Sequence, residues 1–136
     1  MKIRKIALVI SASMTFITLQ AQDNSNSDGS AANGKLIYEQ NCLACHQADG
    51  SGVPSLAPPL SKGMFVNGEK KKLIQIVLHG MQDVEIKGEV YSNPMPSFDY
   101  LSDADIADVL TYVRSNFKNT AKAVTASDVT EVRNAK

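Results

Sequence analysis

Three stretches of the chain carry apolar residues at helical spacing. In the first, Leu36, Ile37, Gln40 and Leu43 recur near that period, and Tyr38 stands four before Cys42. They predict a helix over 34–45 that Asn33 or the small residues before it would cap. Gly34 in its first turn is costly, up to ~1 kcal/mol relative to Ala. It makes sense if a second helix must approach that backbone closely. In the second stretch Leu73, Ile74, Ile76, Val77 and Leu78 follow the basic run Lys70-Lys71-Lys72. They predict a helix over 67–79 ended by Gly80, with the lysines on its solvated face. In the third, Ile106, Val109, Leu110, Val113 and Phe117 form a stripe with Tyr112 beside it. Ser102 caps that helix, Asp103 and Asp105 suit its positive end, Arg114 and Lys118 suit the other, and it finishes near 116–119.

Between these elements the periodicity is lost. Gly50, Gly52, Pro54, Pro58, Pro59 and Gly63 make 47–63 a loop. A loop of that length in a compact domain needs a surface to pack on. Residues 84–91 alternate around Gly88 and predict a short irregular hairpin or an extended loop. Met95 lies between Pro94 and Pro96 and is held extended, because proline disfavours the helical region for the residue before it. Residues 120–136 are polar and allow at most one more short helix, over 127–133.

The N-terminus accounts for part of the 136 residues. Met1-Lys2-Ile3-Arg4-Lys5 is a basic start, 6–19 is an apolar run, and Leu19-Gln20-Ala21 offers small residues at a cleavage site. That pattern is a secretory signal peptide, 1–21, so the protein is expected in the periplasm without a stable membrane anchor. An apolar run of 14 residues is short of the ~20 that span a bilayer. Residues 22–33 read as a flexible linker, 34–118 as the folded domain and 119–136 as a C-terminal extension. The whole chain has 14 basic and 14 acidic side chains, and cleavage removes only Lys2, Arg4 and Lys5 from that balance. The resulting mild acidity argues against nucleic acid as a partner. A core of this size is marginal alone, and a large apolar prosthetic group at its centre would complete it.

The candidate for that group is written in Cys42-Leu43-Ala44-Cys45-His46, which holds both cysteines and one of the two histidines. Cys-x-x-Cys-His is a haem attachment signature: two thiols three apart reach two vinyl groups, and the next side chain points at the iron. Three blander readings do worse. A disulfide here would close too short a loop to stabilise much. A thioredoxin-like pair belongs near a βαβ pattern. Zinc would need a second ligand pair. Given haem, the rigid setting of Met95 makes it the candidate second iron ligand beside His46, against the reading that it only fills a gap. Met14 leaves with the signal peptide, Met64 and Met81 lack that setting, and His79 reads as a capping or surface residue.

These residues resemble a class I (mitochondrial-type) bacterial cytochrome c. The resemblance covers 34–118 and rests on four features in order: the Cys-x-x-Cys-His motif, Pro58-Pro59-Leu60, Met95-Pro96-Ser97-Phe98, and the run from Leu101 to Arg114. It implies an all-α cytochrome c fold, three to five helices wrapped around one covalently bound haem c. The first and last helices would cross, with Gly34 and Tyr38 meeting Val109 and Tyr112. It implies attachment at Cys42 and Cys45, iron ligation by His46 and Met95, a Pro58 carbonyl holding the His46 proton, and Leu60 against the haem. The expected function is single-electron transfer between a redox donor and acceptor, by a monomer that is not itself an enzyme. The closing run looks most like cytochrome c domains beside periplasmic dehydrogenases, oxidases and nitrite reductases. A dedicated subunit of such a complex is therefore the first alternative, and a haem peroxidase or gas sensor with a labile distal position the second.

Overall fold

The computed structural model describes residues 28–135, so the expected signal peptide 1–21 and the first half of the 22–33 linker, 22–27, lie outside the described residues. In chain order the elements are α1 (Ala31–Asn41), α2 (Leu43–His46), α3 (Lys70–His79), strands β1 (Val84–Ile86) and β2 (Glu89–Tyr91), α4 (Asp103–Ser115) and α5 (Ala126–Asn134). The all-α architecture is as expected, with one small antiparallel hairpin pairing Val84 to Tyr91.

The crossing of α1 and α4 explains Gly34. A Cβ there would stand 2.0 Å from the Asp108 carbonyl oxygen and 2.9 Å from Tyr112 Cβ. Tyr112 meets α1 as expected, its ring centroid 5.5 Å from that of Tyr38. The second contact is the backbone of Asp108, one residue from the expected Val109, which faces the interior. The Asp108 carboxylate also reaches across to α1, accepting from Ser30 N and Asn33 Nδ2, each at 2.6 Å.

Several boundaries differ from the sequence expectation. Helix α1 starts at Ala31, with Ser30 Oγ accepting from Asn33 N, because the polar residues before Gly34 supply donors to Asp108. The chain is already ordered at Asp28, which bridges Thr125, and at Gly29, whose N–H reaches Val124 O. The expected 34–45 helix breaks at Cys42, where φ is −119°, and resumes as the single turn α2. Leu36 and Gln40 face solvent, and Gly34, Ile37 and Tyr38 are the buried side of α1. Helix α3 begins at Lys70 because the Asn67 amide is held by Gly63 O and Asn119 Oδ1.

The C-terminal segment differs most. Ser102 and Asp105 form the expected capping arrangement, but α4 stops at Ser115. Phe117 and Lys118 take left-handed backbone, φ 55° and 64°, which folds the Phe117 ring back to 5.3 Å from Tyr38. The chain then runs into α5, capped by Thr125 and Asp128, which packs on α3 and α4. Val124 and Val129 are fully buried, so these residues belong to the core rather than to an extension. Arg114 is buried too, donating to the carbonyls of Lys122, Val66 and Gly68 instead of resting at the helix terminus in water. Among the described residues no helix is long and apolar enough to cross a membrane.

A cleft lined by two thiols, an imidazole and a thioether

α1, α2, the 47–63 loop, α3, the 92–98 segment and α4 enclose an open cleft with about 1350 Å³ of empty space, its mouth included. Cys42, Cys45, His46, Pro58, Leu60 and Met95 all line it, so the fold gathers every site residue expected from the sequence. Aliphatic and aromatic side chains make up most of the remaining wall, and among the described residues no Asp, Glu, Lys or Arg lines it.

His46 closes α2 and is 9% exposed. Its Nδ1 lies 3.0 Å from Pro58 O. A carbonyl only accepts, so Nδ1 carries the proton and Nε2 is left with the lone pair a metal binds. Burial holds the ring below the ordinary histidine pKa, outweighing the Pro58 bond, so it stays neutral. Burial, and after it the neighbouring Cys45, pushes the Cys42 thiol up to about 11. Cys45 is exposed at the mouth.

The loop beyond His46 is held by its own backbone. Gly52 N reaches His46 O at 3.1 Å, Leu60 N reaches Gly50 O at 2.8 Å, and Val53 bridges Ala57. Gly52 has φ 69°, and a Cβ would stand 2.3 Å from Ala57 O, so this turn requires glycine. Asn119 fixes the far end. Its Oδ1 accepts from Lys62 N and Asn67 Nδ2, and its Nδ2 donates to Leu60 O and Val113 O.

Met95 is carried by a separate wall. Met95 N reaches Met81 O at 2.7 Å and Met81 N reaches Met95 O at 3.1 Å, while Phe98 N reaches Val77 O. Gly80, read from the sequence only as a helix stop, has a second role: a Cβ there would stand 2.5 Å from Met95 O. Met64 and Met81 also line the cleft, whereas His79 is exposed and does not. Sequence reasoning missed Asn119 as a support. Its only local signal was an Asn just beyond the end of a helix, a position that also suits a plain turn.

The donor set fits the haem expected from the motif. It comprises two thiols three residues apart, a neutral imidazole with a free Nε2 and a thioether, all around an apolar cleft. Among the described residues no three His, Cys, Asp or Glu side chains gather at one point.

Residues 31–117 match the family model of Cytochrome c. The chain is 35% identical over 112 residues to cytochrome c-552 of Thermus thermophilus, covering 75% of this chain and 85% of that protein. It is 36% identical over 104 residues to the gluconate 2-dehydrogenase cytochrome c subunit of Pantoea cypripedii, covering 74% of this chain and 24% of the subunit. Among solved structures, the c-type cytochrome XoxG of Methylobacterium extorquens AM1 superposes with a TM-score of 0.48 at 22% identity, over 70% of this chain and 55% of that one. This chain therefore belongs to the cytochrome c family of electron-transfer proteins, its cofactor is covalently bound haem c with iron, and Cys42 to His46 fit the family's Cys-x-x-Cys-His motif.

Proposed function

We propose that the protein is an exported one-electron carrier in which Cys42 and Cys45 hold the haem and His46 and Met95 hold its iron. One observation carries this reading. The free nitrogen of a buried neutral imidazole and the thioether of a backbone-pinned methionine line the same cleft from separate walls. Bound haem supplies reversible one-electron chemistry. The chain's own residues do the rest. Pro58 O fixes the His46 ring and strengthens it as a donor. The Met81 ladder holds Met95 in place, so little rearranges when the charge changes. The apolar walls keep water out and favour the less charged ferrous state, as thioether ligation also does. With His46 and Met95 both holding the iron, the chain would leave no open position for oxygen or a substrate, which supports a carrier over an enzyme.

The leader-like residues 1–21 support export to the periplasm. A redox protein donor and acceptor are the partners, met in brief encounters at the mouth where Cys45 is exposed. A second reading is favoured by the relative that is a gluconate 2-dehydrogenase cytochrome c subunit: a dedicated subunit of a dehydrogenase complex with the same iron chemistry.

The test is an absorption spectrum of the haem-loaded protein, oxidised and reduced, beside its Met95→Ala variant. A sharp reduced α-band, with a weak long-wavelength ferric band that the variant loses, is expected. A high-spin spectrum that the variant leaves unchanged would sink the carrier reading. Elution as a small monomer from the exporting cell, against co-elution with a larger enzyme, separates carrier from subunit.

A further inference from the structure

Glu89 opens β2, and Tyr91 lies two residues on, so both side chains leave the same face of the strand. Tyr91 is buried and lines the cleft, and its hydroxyl donates to Glu89 Oε2 at 2.8 Å. The other carboxylate oxygen, Oε1, accepts from Ser55 N at 2.7 Å. Ser55 sits in the turn closed by the Val53–Ala57 bridge, with φ 59°. That turn runs directly into Pro58, whose carbonyl holds the His46 proton. On the other side, β2 leads in four residues to Met95. Among the described residues, the Ser55–Glu89 bond is the only hydrogen bond joining the 47–63 loop to the 80–98 segment.

We infer that Glu89 is a latch across the mouth of the haem cleft, a positioning residue that ties the wall carrying Met95 to the loop that orients His46 and so keeps outside ligands off the iron. The inference rests on the His46/Met95 reading above. Both bonds are charge-assisted, and those from Tyr91 and then Ser55 hold the carboxyl below its usual range, so it is ionised at neutral pH. Substitution separates the latch from a mere charge. Gln has the same reach, its oxygen accepting from Ser55 and its amide donating to Tyr91. Asp keeps the charge but is one carbon too short to span both partners.

The experiment is imidazole titration of the oxidised, haem-loaded protein, followed in the visible spectrum, for wild type, Glu89→Asp and Glu89→Gln. Apparent affinity scales with the fraction of molecules whose cleft is open, so it reads the latch directly. Two charge-assisted bonds discounted for solvent should shift that fraction about tenfold. Glu89→Asp should therefore bind imidazole roughly tenfold more tightly than wild type, with Glu89→Gln, whose neutral bonds are about half as strong, within about threefold of wild type. Loss of the thioether-ligated spectrum in Glu89→Asp before imidazole is added would support the latch as well. Unchanged affinity in Glu89→Asp overturns the inference and leaves His46/Met95 ligation standing. Loosening confined to Glu89→Gln would be an effect of charge, and equal loosening in both an effect of hairpin packing; either overturns it. A wild-type spectrum without a thioether ligand is visible before any titration. It fails the ligation reading itself, and the latch goes with it.

Discussion

Gly34→Ala sets two effects of opposite sign against each other. Alanine is the better helix former by about 1 kcal/mol, so in an exposed helix the change would stabilise. Here the new Cβ would stand 2.0 Å from the Asp108 oxygen and 2.5 Å from its carbonyl carbon. Contacting heavy atoms rest about 3.5 Å apart, so the helices must separate by roughly 1.5 Å. That movement would stretch the two bonds from α1 to the Asp108 carboxylate, each now 2.6 Å, beyond useful length. It would also loosen the Tyr38, Tyr112 and Phe117 rings, whose centroids are 5.3 to 5.6 Å apart. Overpacking costs about 1–3 kcal/mol. The two carboxylate bonds, solvent-exposed as they are, add about 1 kcal/mol together. With the propensity gain subtracted, the variant should be less stable by about 1–3 kcal/mol. For a domain of this size that lowers Tm by roughly 5–20 °C. Thermal unfolding of the haem-loaded protein, followed by far-ultraviolet circular dichroism, measures it. A Tm equal to or above wild type would refute the close crossing.

Three further outcomes follow from other parts of the fold. Asn119→Asp keeps the acceptor for Lys62 N and Asn67 but leaves the carbonyls of Leu60 and Val113 without a donor; urea unfolding should show a loss of about 2–4 kcal/mol, and an unchanged midpoint would remove Asn119 as a support. Burial works against ionisation of Asp128, but Lys70 and Thr125 outweigh it and hold its pKa below the usual range. The pKa is lowered by folding, so this stabilisation is complete above the ordinary carboxylate value and is lost as pH falls through and below about 4. Asp128→Asn should flatten the acid limb of a Tm-against-pH curve, and an equally steep limb would rule the pair out as its source. Protein made without haem should lose most of its helical circular dichroism, because so large an apolar cleft cannot stay open in water; a native-like apoprotein spectrum would contradict this.

The parts of the fold legible in the sequence are those set by local chemistry. The haem motif is local because two thioethers on one macrocycle dictate the spacing, and Ser102 and Asp105 are local because a cap acts within four residues. Cys42, Cys45, His46 and Met95 stood out as candidates for the same reason, since motif and proline context do not depend on distant partners, whereas Pro58 and Leu60 came with the family resemblance. What was hidden depends on partners far along the chain. Ser30 and Asn33 look like linker until Asp108 is placed beside them. Arg114 has the position of a cation at a helix terminus, and only the carbonyls of Val66 and Gly68 show why it turns inward. The polar sequence after residue 119 hides Val129 of α5, which packs on α3 and α4, and Val124 before it, held by Gly29 N and the Thr111 hydroxyl. Glu89 had no local signal at all, since its partner Ser55 is 34 residues away.

The crossing of α1 with α4 also sets an order of events in time. Asn33 and Asp108 are 75 residues apart, so the entropy of closing that loop delays their meeting until most of the chain is present. Cys42, Cys45 and His46 lie beside α1, on the early side of that closure. Until α4 arrives, the wall of the cleft that Val109, Leu110 and Val113 supply is missing. Once Gly34 seats against Asp108, that wall is complete. Chain connectivity thereby orders the assembly of the site: the segment bearing the two thiols and the imidazole is in place early, and the wall that closes over it comes last.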